Sequence, residues 1–251
     1  MSTFTDQHAV VTGGGSGIGA AIAKALTDAG AQVTLMGRNA DKLQDKAMEL
    51  GAVYQVVDVT NREQVATAFS AAAEQIGKID ILINNAGAAE ASPFGKMDDD
   101  LWDATIAVNL TGVYNCTKAA IGAMADAGSG RIVNIASTAA LTGYAYVSAY
   151  CAAKHGVIGL TRALALEYAK KGVTVNAVCP GYTNTEIVEQ AIDKIVTATG
   201  RSRDEALAEM VKVNPQQRLV EPEEVAATVM WICQQESITG QSIAVAGGEV
   251  M

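Results

Sequence analysis

The sequence predicts an α/β fold: a single doubly wound parallel sheet of about seven strands, with helices on both faces. Three observations carry this expectation. Short runs rich in β-branched residues alternate strictly with longer segments of helical period, which implies right-handed crossovers between parallel strands. The strand candidates are apolar at consecutive positions, as in Ile81-Leu82-Ile83, which suits strands covered by helices on both sides. No linker, low-complexity stretch or solenoid repeat divides the 251 residues, so one domain over 1–251 is expected.

The elements follow in order. A strand at 8–11 leads through a glycine-rich turn into a helix at 17–29. A strand at 32–36, a helix at 40–50, a strand at 53–57 and a helix at 61–76 come next. The fourth strand, 79–84, precedes a long helix at 99–126. Asp98-Asp99-Asp100 reads as an acidic cap for the helical run from 101, not as a metal cluster, because carboxylates complement a helix N-terminus. A strand at 131–136 and a helix at 148–170 precede the sixth strand, 173–179. A broken helical segment at 186–213, a helix at 222–234 and a strand at 242–246 complete the series. Trp102 and Trp231, at helical spacing among apolar neighbours, are expected in the core or at an interface.

Composition removes several classes of function. With 49% hydrophobic and 18% charged residues the chain is not mainly disordered. Its 18 basic against 27 acidic residues give a net charge of −9, which repels phosphate backbones, so no nucleic acid partner is expected. Residues 1–7 are polar and read as carrying no targeting signal. The longest uncharged stretch, 132–153, includes Asn134, Ser137, Thr138, Ser148 and three tyrosines. It reads as a buried strand, a loop and a helix start, and no membrane span is expected. Cysteines at 116, 151, 179 and 233 lack tight spacing and read as small buried hydrophobes in a reducing compartment, so a cytoplasmic enzyme without metal is expected.

In open parallel sheets ligands collect beyond the carboxyl ends of the strands, where the strand order reverses. The residues just after each strand are therefore the informative ones. After the first strand comes Thr12-Gly13-Gly14-Gly15-Ser16-Gly17-Ile18-Gly19, a strand–glycine turn–helix that lets backbone approach a pyrophosphate at a helix N-terminus. The spacing is TGxxxGxG. Asp58-Val59 follows the third strand, Asn84-Asn85-Ala86-Gly87 the fourth and Pro180-Gly181 the sixth, while Tyr150-Cys151-Ala152-Ala153-Lys154 lies on a helix. On these motifs the chain resembles, over its whole length, the short-chain dehydrogenase/reductase family in its short single-domain form, with a Rossmann-like fold.

The resemblance implies a nicotinamide dinucleotide held by Gly13, Ser16, Gly17, Ile18 and Gly19. It implies Asp58 at the adenine amino group beside Val59, Asn85, Ala86 and Gly87 on the adenosine side, and Pro180, Gly181, Thr183 and Thr185 on the nicotinamide side. Asp58 equally suits a helix N-cap ahead of Asn61-Arg62-Glu63.

Tyr150 and Lys154, four apart, share a helix face. A free phenol titrates near pH 10, and a nearby ammonium stabilises phenolate and draws it toward the working range. Both residues are also expected to touch the cofactor, the lysine at its ribose. Ser137, just past the fifth strand, is either an ordinary loop serine or the hydroxyl that holds the substrate oxygen as charge develops. Asn109 is a polar residue among apolar ones within a helix. By resemblance it is the fourth catalytic residue, its carbonyl binding a water behind the lysine. The implied reaction is hydride transfer between nicotinamide and a carbinol or carbonyl carbon, with Tyr150 moving the proton. His8, in a strand, and His155, a quarter-turn past Lys154, take no part.

An acidic residue at the end of the second strand would select NAD. Gly37 holds that place and Arg38 follows it, and a guanidinium matches a phosphate, so NADP is favoured while NAD stays compatible. The plain alternative lays Arg38 over the adenine or into solvent, and Ser16 and its neighbours add no second cation. The substrate wall, 138–149, carries no charge. The segment 184–214 reads as an apolar lid built on Ile187, Val188, Ala191, Ile192, Ile195, Ala206, Leu207, Met210 and Val211. Both suit a small-molecule secondary alcohol or ketone. Lys194, Arg201, Arg203 and Lys212 are either solvated or meet the phosphate of an acyl thioester. The chain is similar to 3-oxoacyl and polyketide ketoreductases and to 3-hydroxyacyl or secondary-alcohol dehydrogenases.

Small residues in the helices at 99–126 and 148–170 (Ala119, Ala120, Ala123, Ala125, Ala163, Ala165) suit close helix pairing, and a homotetramer is expected. Three competing functions stand behind this one. A non-catalytic nicotinamide-binding regulatory or scaffold protein usually lacks one of the four groups present here. An α/β hydrolase needs GxSxG, which no serine provides. The extended epimerases and dehydratases sharing YxxxK need a longer chain with a further substrate domain.

Overall fold

Seven parallel strands form one sheet in the computed structural model, which describes residues 3–250; Met1, Ser2 and Met251 of the expected domain lie outside the described residues. The strands are β1 (His8–Thr12), β2 (Gln32–Gly37), β3 (Val53–Val56), β4 (Ile81–Asn84), β5 (Gly130–Ile135), β6 (Val173–Pro180) and β7 (Ser242–Val245). Their spatial order is β3-β2-β1-β4-β5-β6-β7. The helices are α1 (Gly17–Asp28), α2 (Ala40–Leu50), α3 (Arg62–Ile76), α4 (Asp99–Ile106) and α5 (Gly112–Asp126). They continue with α6 (Ser148–Tyr168), α7 (Glu186–Thr199), α8 (Arg203–Val211) and α9 (Pro222–Cys233). The architecture expected from the sequence is the one observed.

Successive strand residues point to opposite faces, and both faces are covered. On one face Val11, Leu35, Ile83 and Val133 pack with Ile22 and Leu26 of α1 and Val225, Val229 and Ile232 of α9. On the other, Val10, Met36, Leu82, Ile132 and Val175 pack with Val65 and Phe69 of α3 and Cys116 and Met124 of α5. This is why β1, β4 and β6 are buried along their full length.

Several boundaries differ from expectation. The long helix expected at 99–126 is interrupted by a π-helical turn, Ala107–Thr111, between α4 and α5. Asp98 is the N-cap of α4, accepting from the Leu101 N–H at 2.7 Å, with Asp99 and Asp100 already in the first turn. The expected break in 186–213 falls at Gly200, whose φ of +72° ends α7. Ser202 and Glu205 then form a capping box that starts α8. Trp102 and Trp231 are 38% and 47% exposed, so neither is core. On α9 the inward stripe is Val225, Val229 and Ile232, and Trp231 lies off it.

Among the described residues no helix is long and apolar enough to cross a membrane. All four cysteines are free. Between β1 and β4 the winding reverses, so the carboxyl ends Thr12 and Asn84 lie side by side and the loops that follow them meet.

Candidate active site

The two central loops are knitted together by hydrogen bonds. Thr12 Oγ1 accepts from the Asn85 and Ala86 N–H groups at 2.9 and 3.0 Å, and Asn85 Nδ2 donates to the Thr12 and Gly13 carbonyls at 3.1 and 3.2 Å. A Cβ at Gly19 would come within 2.3 Å of the Gly13 oxygen, so α1 presses directly on the loop and only glycine fits there. Ile18 packs on the core beneath. Ser16 is the N-cap of α1 with no side-chain cap bond, and the first turn holds no acidic residue. Free N–H groups, a dipole end and a glycine cradle are the chemistry a dinucleotide pyrophosphate needs.

At the far end of the crevice the Val57 N–H donates to the Gly37 carbonyl at 2.8 Å, bringing the ends of β2 and β3 together. Arg38 is exposed there, close to Asp58. Burial opposes the Asp58 charge, but bonds from the Thr60 N–H (2.9 Å) and hydroxyl (2.8 Å), with Arg38 beside it, outweigh burial and hold the carboxyl below its ordinary value. Asp58 does not cap α3. Asn61 does, accepting from the Glu63 and Gln64 N–H groups at 3.0 Å each, because the chain turns around Thr60 before the helix begins. Val59 is buried against Gly112.

Ser137, Tyr150, Lys154 and Asn109 converge beyond β5. Ser137 caps the 3-10 turn Thr138–Ala140 by accepting from the Ala139 N–H at 3.1 Å. Lys154 is buried, its Nζ donates to the Ile135 carbonyl at 2.8 Å, and it stands 5.6 Å from the centre of the Tyr150 ring. The expectation that the ammonium draws the phenol toward neutrality is not met in this arrangement. Burial pushes Tyr150 up to about 12, opposed in part by Ser137. Burial also pulls Lys154 down to about 8. Desolvation disfavours the charged form of each group.

Asn109 sits in the π turn and is fully buried. Its Nδ2 donates to the Ala88 and Thr105 carbonyls at 2.8 and 3.0 Å, and its Oδ1 accepts from the Ala88 N–H at 3.2 Å. The side-chain oxygen of Asn109 thus faces the backbone of the loop after β4. A Cβ at Gly87 would lie 2.7 Å from Asn109 Oδ1 and 3.7 Å from Lys154 Nζ, so the loop after β4 passes tightly over both. A buried amide ladder supports this centre: Asn84 Nδ2 donates to Asn134 Oδ1, and Asn134 Nδ2 to Thr161 Oγ1, each at 2.9 Å.

Beyond Pro180, the Gly181 N–H donates to the Val245 carbonyl at 3.0 Å. Thr183 is buried, with its hydroxyl on the Gly181 carbonyl at 3.0 Å. Thr185 is the N-cap residue of α7, and its methyl group would touch a Cβ at Gly17 at 3.2 Å, so this segment reaches back to the glycine loop. Arg203 pairs with Glu189 and Asp193, and Lys212 lies 3.9 Å from Glu209, so these cations are engaged within α7 and α8. Lys194 and Arg201 are exposed.

The fold also adds charged groups that the sequence reading missed. The Lys42 stem packs against Gly15, and its ammonium bonds Glu186 at 2.5 Å. Tyr144, in the wall expected to be free of charge, donates its hydroxyl to Glu249. The signal was present: Gly247-Gly248-Glu249 follows the seventh strand, where the same rule about carboxyl ends applies.

Residues 7–196 match the protein family described as short chain dehydrogenase. The chain is 37% identical to D-beta-hydroxybutyrate dehydrogenase of Rhizobium meliloti (strain 1021), with 96% of this chain and 98% of that protein covered. It is 39% identical to acetoacetyl-CoA reductase of Shinella zoogloeoides, covering 96% and 97%. Among solved structures, a single-substitution variant of actinorhodin polyketide ketoreductase with NADPH superposes with a TM-score of 0.94 at 36% identity, covering 99% of each chain.

Proposed function

The chain belongs to the short-chain dehydrogenase family, and from that premise we propose that Asn109, Ser137, Tyr150 and Lys154 serve hydride transfer between NADP(H) and a neutral secondary alcohol or ketone. The chain is an NAD(P)-dependent oxidoreductase acting between hydroxyl and keto groups. The observation that supports the residue assignment is the convergence of Lys154, Asn109 and Gly87 next to Tyr150 and Ser137.

The nicotinamide, when bound, supplies the hydride. In the reductive direction the Tyr150 phenol, which keeps its proton at neutral pH, gives that proton to the substrate oxygen. The Ser137 hydroxyl bonds the same oxygen as negative charge develops on it. The Lys154 ammonium, aimed by the Ile135 carbonyl, balances the charge left on the phenolate. Asn109 is a positioning residue that holds the Ala88 backbone, and with it the loop that crosses the lysine. In the oxidative direction the steps reverse: Tyr150, as the phenolate whose charge Lys154 balances, takes the alcohol proton.

Gly13, Ser16, Gly17, Ile18 and Gly19 carry the pyrophosphate. Asp58, Val59, Asn85, Ala86 and Gly87 line the adenosine side, and Pro180, Gly181, Thr183 and Thr185 the nicotinamide side. Arg38 takes the 2′-phosphate. The NADPH of the actinorhodin relative supports this preference. Segment 184–214 acts as the lid. The free cysteines suit a reducing cytoplasm, and a homotetramer remains the proposed assembly.

The test is a screen that follows reduced-nicotinamide absorbance with ketones, 3-oxoacyl thioesters and secondary alcohols, in both directions and with both cofactors. Turnover of neutral ketones with NADPH is expected. Failure of every ketone and alcohol overturns the assignment.

A further inference from the structure

Tyr144 stands in the wall between Ser137 and Tyr150, and the carboxylate bonded to its hydroxyl comes from the last turn of the chain. That turn is built to deliver it. Gly247 and Gly248 follow β7 with φ of +60° and +94°, and the Glu249 N–H closes the turn on the Ala246 carbonyl at 3.1 Å. A Cβ at Gly247 would lie 2.1 Å from Asn214 Oδ1. Asn214 is buried and bonded to the Arg218 carbonyl and the Gln216 N–H, so the turn seats on a fixed support.

The Glu249 carboxylate lands among Tyr144, Gly181 and Tyr182. The Tyr144 hydroxyl is also 2.8 Å from Thr138 Oγ1, one residue past Ser137. A Cβ at Gly181 would come within 2.7 Å of Glu249 Oε2, so glycine there makes room for the carboxylate. The Glu249 charge acts on both phenols, raising Tyr144 and Tyr182 after burial has done so. Oε1 is satisfied by Tyr144, whereas Oε2 is inaccessible to solvent and has no hydrogen-bond partner. Glu249 as a whole is only partly buried, and Oε1 keeps a second lone pair beside the Tyr144 hydroxyl that a donor on a bound molecule can use. An anion brought to the same place meets an uncompensated like charge.

We propose that Glu249 is a specificity-determining residue at the substrate end, accepting a hydrogen bond from a neutral donor group on the ketone and rejecting ketones that carry an anion there. The inference rests on the hydride-transfer reading for its location, but its test does not depend on turnover.

A matched pair of ligands isolates the charge: 4-oxocyclohexanecarboxamide, with an N–H donor, and 4-oxocyclohexanecarboxylate. Calorimetric Kd values and initial rates are measured for wild type, Glu249→Gln and Tyr144→Phe. Wild type is expected to favour the carboxamide by roughly tenfold or more in Kd, the size of one like-charge contact at a half-buried site. Glu249→Gln should bring the ratio within about threefold, the carboxylate ligand gaining through KM. Tyr144→Phe should widen the ratio, because the Glu249 carboxylate loses its donor and meets the ligand with its charge less shielded.

A purely structural Glu249 would alter both ligands alike. An unchanged ratio in Glu249→Gln overturns the proposal, as does a wild-type ratio near one or no binding of the carboxamide. If Glu249→Gln does not fold, Tyr144→Phe decides, and a ratio that stays level or narrows overturns it. Charge-dependent binding without turnover of either ligand would leave this inference standing, and the hydride-transfer reading then stands or falls on the wider screen of ketones and alcohols.

Discussion

Lys154 Nζ donates to the Ile135 carbonyl oxygen at 2.8 Å, fastening α6 to the end of β5 two residues before Ser137. The bond gives the buried ammonium a partner and fixes the distance between the helix that carries Tyr150 and the loop that carries Ser137.

Tyr150→Phe removes one hydroxyl and leaves the ring and its packing. Turnover should fall by roughly 10²–10⁴-fold, the usual worth of a positioned proton donor, while circular dichroism and nicotinamide binding stay as in wild type. Steady-state kinetics on purified protein check this, and turnover within about threefold of wild type removes Tyr150 from the chemistry.

The Lys154 value of about 8 sets a pH limb. Below it the ammonium is charged and can balance a phenolate; as pH rises through it that charge is lost, so kcat/KM for reduction should decline. Stability moves the other way. Between about 8 and the ordinary 10.5 the unfolded chain binds a proton that the folded chain has released, so this residue's contribution to folding improves with pH. A decline in rate near pH 8 without a matching decline in Tm identifies the lysine, and the limb should vanish from the residual activity of Lys154→Met. A rate that stays flat from about pH 7 to 10 contradicts it.

Arg38→Ala should raise the KM for NADP by about tenfold to a hundredfold, the worth of one charge-assisted phosphate bond, and leave that for NAD nearly unchanged. Raising salt should weaken NADP more than NAD, since Arg38 is exposed. A wild-type enzyme that prefers NAD by about tenfold in kcat/KM contradicts the role given to Arg38.

Light scattering at micromolar concentration should give about 104 kDa, four times 25.9 kDa. A mass near that of one chain contradicts the tetramer.

The sequence alone determined the fold and most of the candidate site, because those signals are local. Continuous apolar runs such as Ile81-Leu82-Ile83 report coverage on both sheet faces, and each motif residue after a strand lands at the carboxyl edge whatever the details of packing. The four-residue spacing of Tyr150 and Lys154 likewise needs only a helix to bring them onto one face.

Tertiary structure decided what depends on distant partners or on burial. Glu249 meets Tyr144 across 105 residues and Lys42 meets Glu186 across 144, and no periodicity reports contacts of that range. The π turn at Asn109 is held by bonds to Ala88, which lies in another loop. The proton affinities of Tyr150 and Lys154 moved apart because the folded protein desolvates both, and desolvation is a property of the surroundings, not of the chain order.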